Sequence, residues 1–280
     1  MVEYLKSPQE YAEYYLKKAA TLSWWRLNKD EKYLKYCTLA IRHYTDAGQP
    51  DEAADVYLRL SKRYPKKEKI YLREALNLSD SLLPEIYERL ALLEMESNNF
   101  MAGGRLYRRL TDRYVSDDKK ISTLEKAIKC YRIHGAKANV IDCLKELAEL
   151  FAQKDNLCDI VKIYTDIVEY IDDRSQTSLN IMQEYCFRAT LGQLVIDTEH
   201  TENGAEKLFM KLCMLNHSFE ESLLGKFAIK VINSVKSGDA ISLSYHAKRY
   251  DEAHRLDDWT ISCLAKISRT MKRNLASLFV

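Results

Sequence analysis

Turn-forming residues are scarce in this chain. Glycine and proline supply 8 and 4 of its 280 residues, about 4 % together against the ~12 % of an average protein. All four prolines (Pro8, Pro50, Pro65, Pro84) fall before residue 85. An all-β fold needs turn residues every ~8–12 positions, so the shortage excludes one. No stretch approaches ~18 uninterrupted apolar residues, which excludes a helical membrane span. The opening Met1-Val2-Glu3-Tyr4-Leu5-Lys6 has no basic head followed by an apolar run, so a signal peptide is not expected. Neither sign of charge dominates: 43 Lys+Arg against 41 Asp+Glu leave +2. That excludes a globally basic nucleic-acid binder and leaves room only for local patches. No Walker A, GxGxxG, GxSxG or HExxH sequence occurs. The seven cysteines form no CxxC, and neither they nor the six histidines have metal-ligand spacing. The cysteines read as small buried apolar side chains of a cytosolic chain. No enzyme, cofactor, metal or small-molecule substrate is expected.

What the chain has is helical period almost throughout. In residues 33–47, Tyr33, Tyr36, Cys37, Ala40, Ile41, Tyr44 and Ala47 make one amphipathic stripe. Gly48-Gln49-Pro50 stops that helix, and Asp51 is a candidate N-cap for the next. Further joints fall at Pro65, Pro84, Asn98-Asn99, Gly135, Asp155-Asn156, residues 198–204 and Ser237-Gly238-Asp239. The spacing predicts about fourteen helices, paired every ~34–40 residues as in a TPR-like solenoid. A small or aliphatic residue stands four before an aromatic in Ala53/Tyr57, Gly103/Tyr107, Ala127/Tyr131, Ile160/Tyr164 and Ala205/Phe209. Small residues let paired helices approach, and the ring fills the groove one turn on. The alternative is an irregular all-α bundle.

Three features ask for a partner. Trp24-Trp25, beside Arg26 and Lys29, suits either an interfacial membrane anchor or a core plug. Arg105, Arg108, Arg109 and Arg113 sit at i, i+3, i+4 and i+8, one helical face that is either solvated or a dock for an acidic partner. A second basic run is Arg59, Lys62, Arg63, Lys66, Lys67 and Lys69. Gly103-Gly104 lies inside helical period with no preceding strand, so a tight helix crossing is expected there rather than a phosphate loop. At the C-terminus, Asp257-Asp258 open a helix with the stripe Ile261, Cys263, Leu264, Ile267, Met271 and Leu275. Apolar Leu278-Phe279-Val280 end the chain.

Arg249-Tyr250-Asp251-Glu252-Ala253-His254-Arg255-Leu256-Asp257-Asp258-Trp259 resembles an aromatic-Asp, spacer, Arg-Leu-Asp-x-Trp segment of the soluble NSF-attachment proteins (SNAPs). Glu184-Tyr185-Cys186-Phe187-Arg188-Ala189 and Glu125-Lys126-Ala127-Ile128-Lys129-Cys130-Tyr131 resemble two further segments of that family, in the same order. The resemblance implies an all-α fold: a TPR-like, right-handed twisted sheet of helical hairpins over 1–180, then a helical bundle over 181–280. It implies an adaptor that coats an assembled SNARE four-helix bundle and recruits the hexameric AAA ATPase NSF. Such an adaptor is cytoplasmic and peripherally membrane-associated, with neither an active site nor nucleic acid as a partner. Trp24 and Trp25 fall at the family's apolar membrane loop. Arg105 and Lys145 fall at two lysines of its SNARE-binding surface, with Arg108 and Arg109 beside the first. Leu278 and Phe279 fall near its penultimate leucine, which acts on the ATPase. The sequence departs from the family where carboxylates should face the ATPase, since Asn233-Ser234-Val235-Lys236 stand there. Glu252, Asp257 and Asp258 are the replacements offered. A generic TPR-like scaffold without an ATPase is the alternative function, and an RNA-binding helical repeat using the Arg105–Arg113 face is a third.

Overall fold

The structure, a computed structural model, describes residues 7–22, 29–79, 84–171, 175–200 and 203–277, with side chains through Asn274. Trp24, Trp25, Leu278 and Phe279 lie outside the described residues. The described chain is all-α, with fourteen helices, one short 3-10 turn and no strand. It divides into two compact units, 1–130 and 131–280.

In the first unit, α1 (Pro8–Ala20), α2 (Lys29–Asp46), α3 (Pro50–Arg63), α4 (Glu68–Leu78), α5 (Pro84–Glu96) and α6 (Phe100–Thr111) pack in series, each of the first five on the helix that follows it. α7 (Asp117–His134) carries the chain across the division. This serial packing is the hairpin stacking that the sequence period predicts. Each of the four prolines is the first residue of a helical element, Pro65 opening the 3-10 turn Pro65–Lys67. Proline suits that position because its missing N–H would be unpaired there anyway. The structure therefore corrects the expected cap of α3: Gln49 holds the cap position, Pro50 is the first helical residue, and Asp51 follows it. Asp51 instead accepts a hydrogen bond from Ser79 Oγ. Ser7 and Glu10 form a capping box on α1.

The core of this unit is built from small residues. Ala12, Ala19, Cys37, Ala40, Ala53 and Val56 are buried, with Tyr15, Tyr33, Tyr36 and Tyr57 packed around them. The small partners of the five small–aromatic pairs, Ala53, Gly103, Ala127, Ile160 and Ala205, are all buried. Tyr107, Tyr131, Tyr164 and Phe209 are buried with them. Among the described residues six joints turn through a residue of positive φ: Gly48, Asn98, Gly135, Asp155, Gly238 and Arg255, all between 52° and 81°. Gly, Asn and Asp tolerate that region best.

In the second unit, α8 (Lys137–Gln153) pairs with α9 (Leu157–Tyr170), and α9 with α10 (Gln176–His200). α10 then also carries α11 (Gly204–Leu215), α12 (Leu223–Lys236) and α14 (Asp258–Ser277), while α13 (Ala240–His254) packs on α12 and α14. A helix surrounded in this way needs apolar residues on every face, not a stripe. α10 has them: Met182, Cys186, Phe187, Leu191, Leu194 and Val195 are all buried.

Two other expectations are corrected. Cys158 is exposed and Cys213 half-buried, while the other five cysteines are buried. Cys158 stands in the first turn of α9, off the buried face Ile160, Val161 and Tyr164. In α14, Ile261 is 47 % exposed. The buried stripe there is Thr260, Cys263, Leu264, Ile267, Thr270 and Met271. Its two threonines are invisible to an apolar-only count; Thr270 Oγ1 accepts a hydrogen bond from Arg273.

Candidate functional site

The α6 face begins with a close helix crossing. Gly103 is buried against α5, and a Cβ placed there would stand 3.2 Å from Met95 Cγ and 3.4 Å from the Ala91 carbonyl oxygen. Gly103 and Gly104 are thus helical residues at a tight contact, and no phosphate loop exists. With Gly103, Gly104, Tyr107, Leu110 and Thr111 facing inward, the opposite face carries the arginines. Arg105 and Arg109 are exposed and Arg108 is half-buried. The run ends sooner than its spacing suggested. α6 stops at Thr111, so Arg113 lies on the following turn, where Asp112 adds a carboxylate between the cations.

Pairing takes up three cations of the second basic run, Arg59, Arg63 and Lys69. Arg59 binds Asp55 at 2.8 Å, and Arg63 binds Asp30 at 3.0 Å. Arg63 also lies 4.1 Å from the Tyr33 ring centre. Lys69 reaches Glu94 at 2.7 Å. Glu94 is 1 % exposed and also binds Arg73 at 2.5 Å and Asn99 Nδ2 at 2.9 Å. Burial pushes this carboxyl up; the hydrogen bonds from Lys69, Arg73 and Asn99 outweigh burial and leave it below its ordinary value. Glu94 ties α4, α5 and the turn into α6, so these cations serve the fold.

Lys145 is exposed on α8, whose buried face is Val140, Cys143, Leu144, Leu147 and Ala148. Arg105 belongs to the first unit and Lys145 to the second.

Around α10, the structure brings together two segments that were separate in sequence. Asp257 Oδ2 accepts a hydrogen bond from Arg188 Nη2 at 2.7 Å. Its other oxygen, Oδ1, accepts from the Thr260 amide at 2.7 Å and so caps α14. Arg188 also pairs with Glu184 at 2.9 Å, and its guanidinium lies 5.6 Å from the Trp259 ring. Trp259 meets Tyr164 edge-on, 5.8 Å between centres and 86° between planes. Burial pushes the Arg188 guanidinium down, while Asp257 and Glu184 push it up and prevail, so it stays charged. Burial pushes the Tyr164 hydroxyl up, with Arg188 opposing. The turn before α14 closes on Asp251, whose Oδ1 accepts from the Leu256 amide at 2.8 Å. Arg255 holds φ 53° there. Sequence reasoning quoted both segments, read Tyr164 only as a ring that fills a helix groove, and gave no role to Arg188. No local signal marks Arg188, which lies 69 residues before its partner Asp257.

The proposed ATPase-facing carboxylates therefore differ among themselves. Glu252 is exposed and meets Lys248 at 3.9 Å. Asp258 is exposed at the first turn of α14, where a carboxylate favours the helix dipole. Asp257 is engaged within the unit.

Serial helical hairpins, a cationic helix face and a bundle closed by an Arg–Asp–Trp joint define a helical-repeat protein built to present surfaces. A family model described as "Soluble NSF attachment protein, SNAP" matches residues 85–272, and the chain belongs to that family. It is 26 % identical over 269 residues to the alpha-soluble NSF attachment protein of Saccharomyces cerevisiae, covering 91 % of this chain and 84 % of that protein. It is 25 % identical over 183 residues to the vesicular-fusion protein SEC17 of Komagataella phaffii, covering 62 % of this chain and 59 % of that one. With the alpha-soluble NSF attachment protein of Mus musculus the identity is 21 % over 188 residues, covering 67 % and 61 % respectively. The chain thus spans about three fifths of two of these relatives and more than four fifths of the third.

Proposed function

We propose that this protein is a non-enzymatic adaptor in vesicle trafficking and membrane fusion. It binds the assembled SNARE four-helix bundle and recruits the hexameric AAA ATPase NSF for disassembly. The observation that carries this reading is the SNAP-family match over residues 85–272. The exposed Arg105 and Lys145 support it, since both are available to an acidic surface, where complementary charge speeds encounter and sets register. Arg108 and Arg109 extend the first of these contacts. Residues 1–180 supply the hairpin array in this reading and 181–280 the bundle. Trp24 and Trp25 dip into the membrane surface, and Leu278 and Phe279 act at the ATPase. The protein works from the cytoplasm, peripherally attached to membrane. No helix among the described residues is long and apolar enough to cross a membrane, which agrees with that attachment.

One observation favours a second reading, a helical scaffold without ATPase recruitment. α12 carries Lys226, Lys230 and Lys236 and no carboxylate. One experiment separates the two: bind the full chain to an assembled SNARE bundle and to the separate SNARE helices, then add NSF. Preference for the bundle followed by NSF retention supports the adaptor. Bundle binding without retention supports a diverged SNAP, and no preference leaves the scaffold.

A further inference from the structure

The second unit carries a groove between α12 and α13 that neither the SNARE contacts nor the Arg188–Asp257 joint uses. Its volume is about 330 Å³, the lower end for a ligand pocket and suited to one large side chain rather than a whole cofactor. The floor is aromatic. Phe227 of α12 stacks on Tyr250 of α13, 4.3 Å between centres and 14° between planes. Leu223 stands at the groove with 62 % of its surface exposed, an apolar side chain with little cover. The rim is cationic from both helices. Lys226 and Lys230 come from α12, one turn apart, and Arg249 comes from α13, with the imidazoles of His246 and His254 lining the groove beside it.

No carboxylate is among the described residues that line this groove. Like charges at i, i+4 repel by a few tenths of a kcal/mol, so Lys226 and Lys230 cost the free protein stability. Compensation is slight. Lys226 reaches Glu221 at 3.0 Å, an ion pair whose side chains are 56 % and 81 % exposed. Arg249 donates to the Tyr245 hydroxyl at 3.2 Å, a neutral partner. Lys230 makes no ion pair among the described residues. An apolar groove with Leu223 exposed at its edge and Tyr250 half-buried on its floor, inside a basic rim whose only ion pair among the described residues is the exposed Lys226–Glu221 contact, is the complement of an acidic chain with an apolar anchor.

We infer that the α12–α13 groove binds an acidic peptide segment of a partner protein, anchored by one aromatic or leucine side chain on the Phe227–Tyr250 floor. The charges decide between this and a single phosphate. They stand on two helices, with Lys226 and Lys230 about one turn (~5.4 Å) apart, which matches successive carboxylates of a chain better than one compact anion. The anchor supplies desolvated contact area, and the rim supplies encounter rate and register. This site stands apart from the SNARE reading and survives its failure.

The test uses the full chain and a fluorescein-labelled peptide of Asp and Glu with one central Phe, followed by anisotropy. Three comparisons accompany it: the peptide with Ser for Phe, its Asn/Gln counterpart, and inorganic phosphate as competitor. Binding is expected to weaken about tenfold or more in Lys230→Glu/Arg249→Glu, and as salt rises. It should fall about fivefold in Leu223→Ser or when the peptide's Phe is replaced, the loss expected for one partly buried apolar contact. All three replaced residues are exposed, so unchanged circular dichroism keeps each variant interpretable. Arg105→Glu/Lys145→Glu should leave peptide binding unchanged, which distinguishes this groove from the SNARE contacts. The inference is overturned if the Asn/Gln peptide binds as well, or if the Phe is dispensable. It is overturned equally if the α6/α8 variant loses binding as much as the groove variant, or if phosphate competes beyond its ionic strength.

Discussion

Asp257 offers the sharpest test of the structure, because its two oxygens do different work. Oδ1 caps α14 through the Thr260 amide, and Oδ2 pairs with Arg188. Asp257→Asn keeps an oxygen for the cap and removes the charge, whereas Asp257→Ala removes both. A lost N-cap costs about 1 kcal/mol. The Arg188 and Asp257 side chains are 22 % and 47 % exposed, so solvent screens the pair and its loss costs about 1 kcal/mol. Arg188 retains Glu184 at 2.9 Å, which limits the damage. Alanine should therefore destabilise the second unit by about 2 kcal/mol and asparagine by about half of that. The assay is urea unfolding followed by indole fluorescence. The chain has three tryptophans, so a Trp24→Phe/Trp25→Phe background leaves Trp259 as the sole reporter, in contact with Arg188 itself. In high salt the asparagine penalty should shrink while the difference between the two variants persists, since only the ion pair is screened. Equal penalties for the two variants would refute the capping role. An unchanged midpoint in Asp257→Ala, together with lost NSF retention, would refute the whole argument and make Asp257 a contact residue for the ATPase.

Three further outcomes are expected. Glu94→Gln should destabilise the first unit by about 2 kcal/mol, below the usual cost of breaking a buried pair because Lys69 and Arg73 can reach water. The Glu94 carboxyl lies below its ordinary value when folded, so its stabilisation is present above the unfolded pKa and lost as pH falls through the folded one; urea midpoints of wild type and variant should converge in acid. Arg255→Gly should raise the unfolding midpoint, because φ 53° with ψ 128° strains a side-chain-bearing residue by about 1–3 kcal/mol, more than the added chain entropy of glycine; a lowered midpoint would contradict that strain. Arg105→Glu with Lys145→Glu should weaken binding to an assembled SNARE bundle, and the wild-type affinity should fall with salt; an affinity indifferent to both would remove these residues from the interface.

The helices were legible because period and punctuation agree. The stripe of α2 is buried at Cys37, Ala40, Ile41 and Tyr44, and the joint that follows turns through Gly48 at φ 68°. Burial is a property of a helix face, and an apolar count finds that face only when its residues are apolar. α14 therefore misled at Ile261, since Thr260 and Thr270 complete its buried stripe. Charge runs misled for a related reason. The run from Arg59 to Lys69 is continuous in sequence, yet its partners Asp55, Asp30 and Glu94 come from three helices. No local pattern places Glu94 at 1 % exposure. By contrast, the Arg105–Arg109 face needed only the neighbouring Gly103-Gly104, because a close crossing on one side of a short helix fixes what the other side presents.

Two of the three segments that carry the SNAP resemblance prove to be architectural, and this changes what they license. Glu184–Ala189 and Arg249–Trp259 meet as one joint in which Arg188 is held by two carboxylates beneath an indole. A chain that keeps Arg-Leu-Asp-x-Trp keeps the docking of α14 on α10, whatever that bundle then binds. The motif argues for the fold and is silent on the ATPase. Partner choice must reside in side chains the joint leaves exposed, among them Lys226, Lys230 and Arg249, which border one apolar groove with no carboxylate among its described lining residues. A surface of that sign repels a basic partner and attracts an acidic one. If NSF is retained on SNARE complexes through the carboxylate contact that the family resemblance implies, that contact lies outside the α12–α13 groove, with Glu252 and Asp258 among the exposed carboxylates open to it. Charge reversal of Lys230 and Arg249 would then leave retention intact or strengthen it, and a loss of retention would place the ATPase in the groove itself.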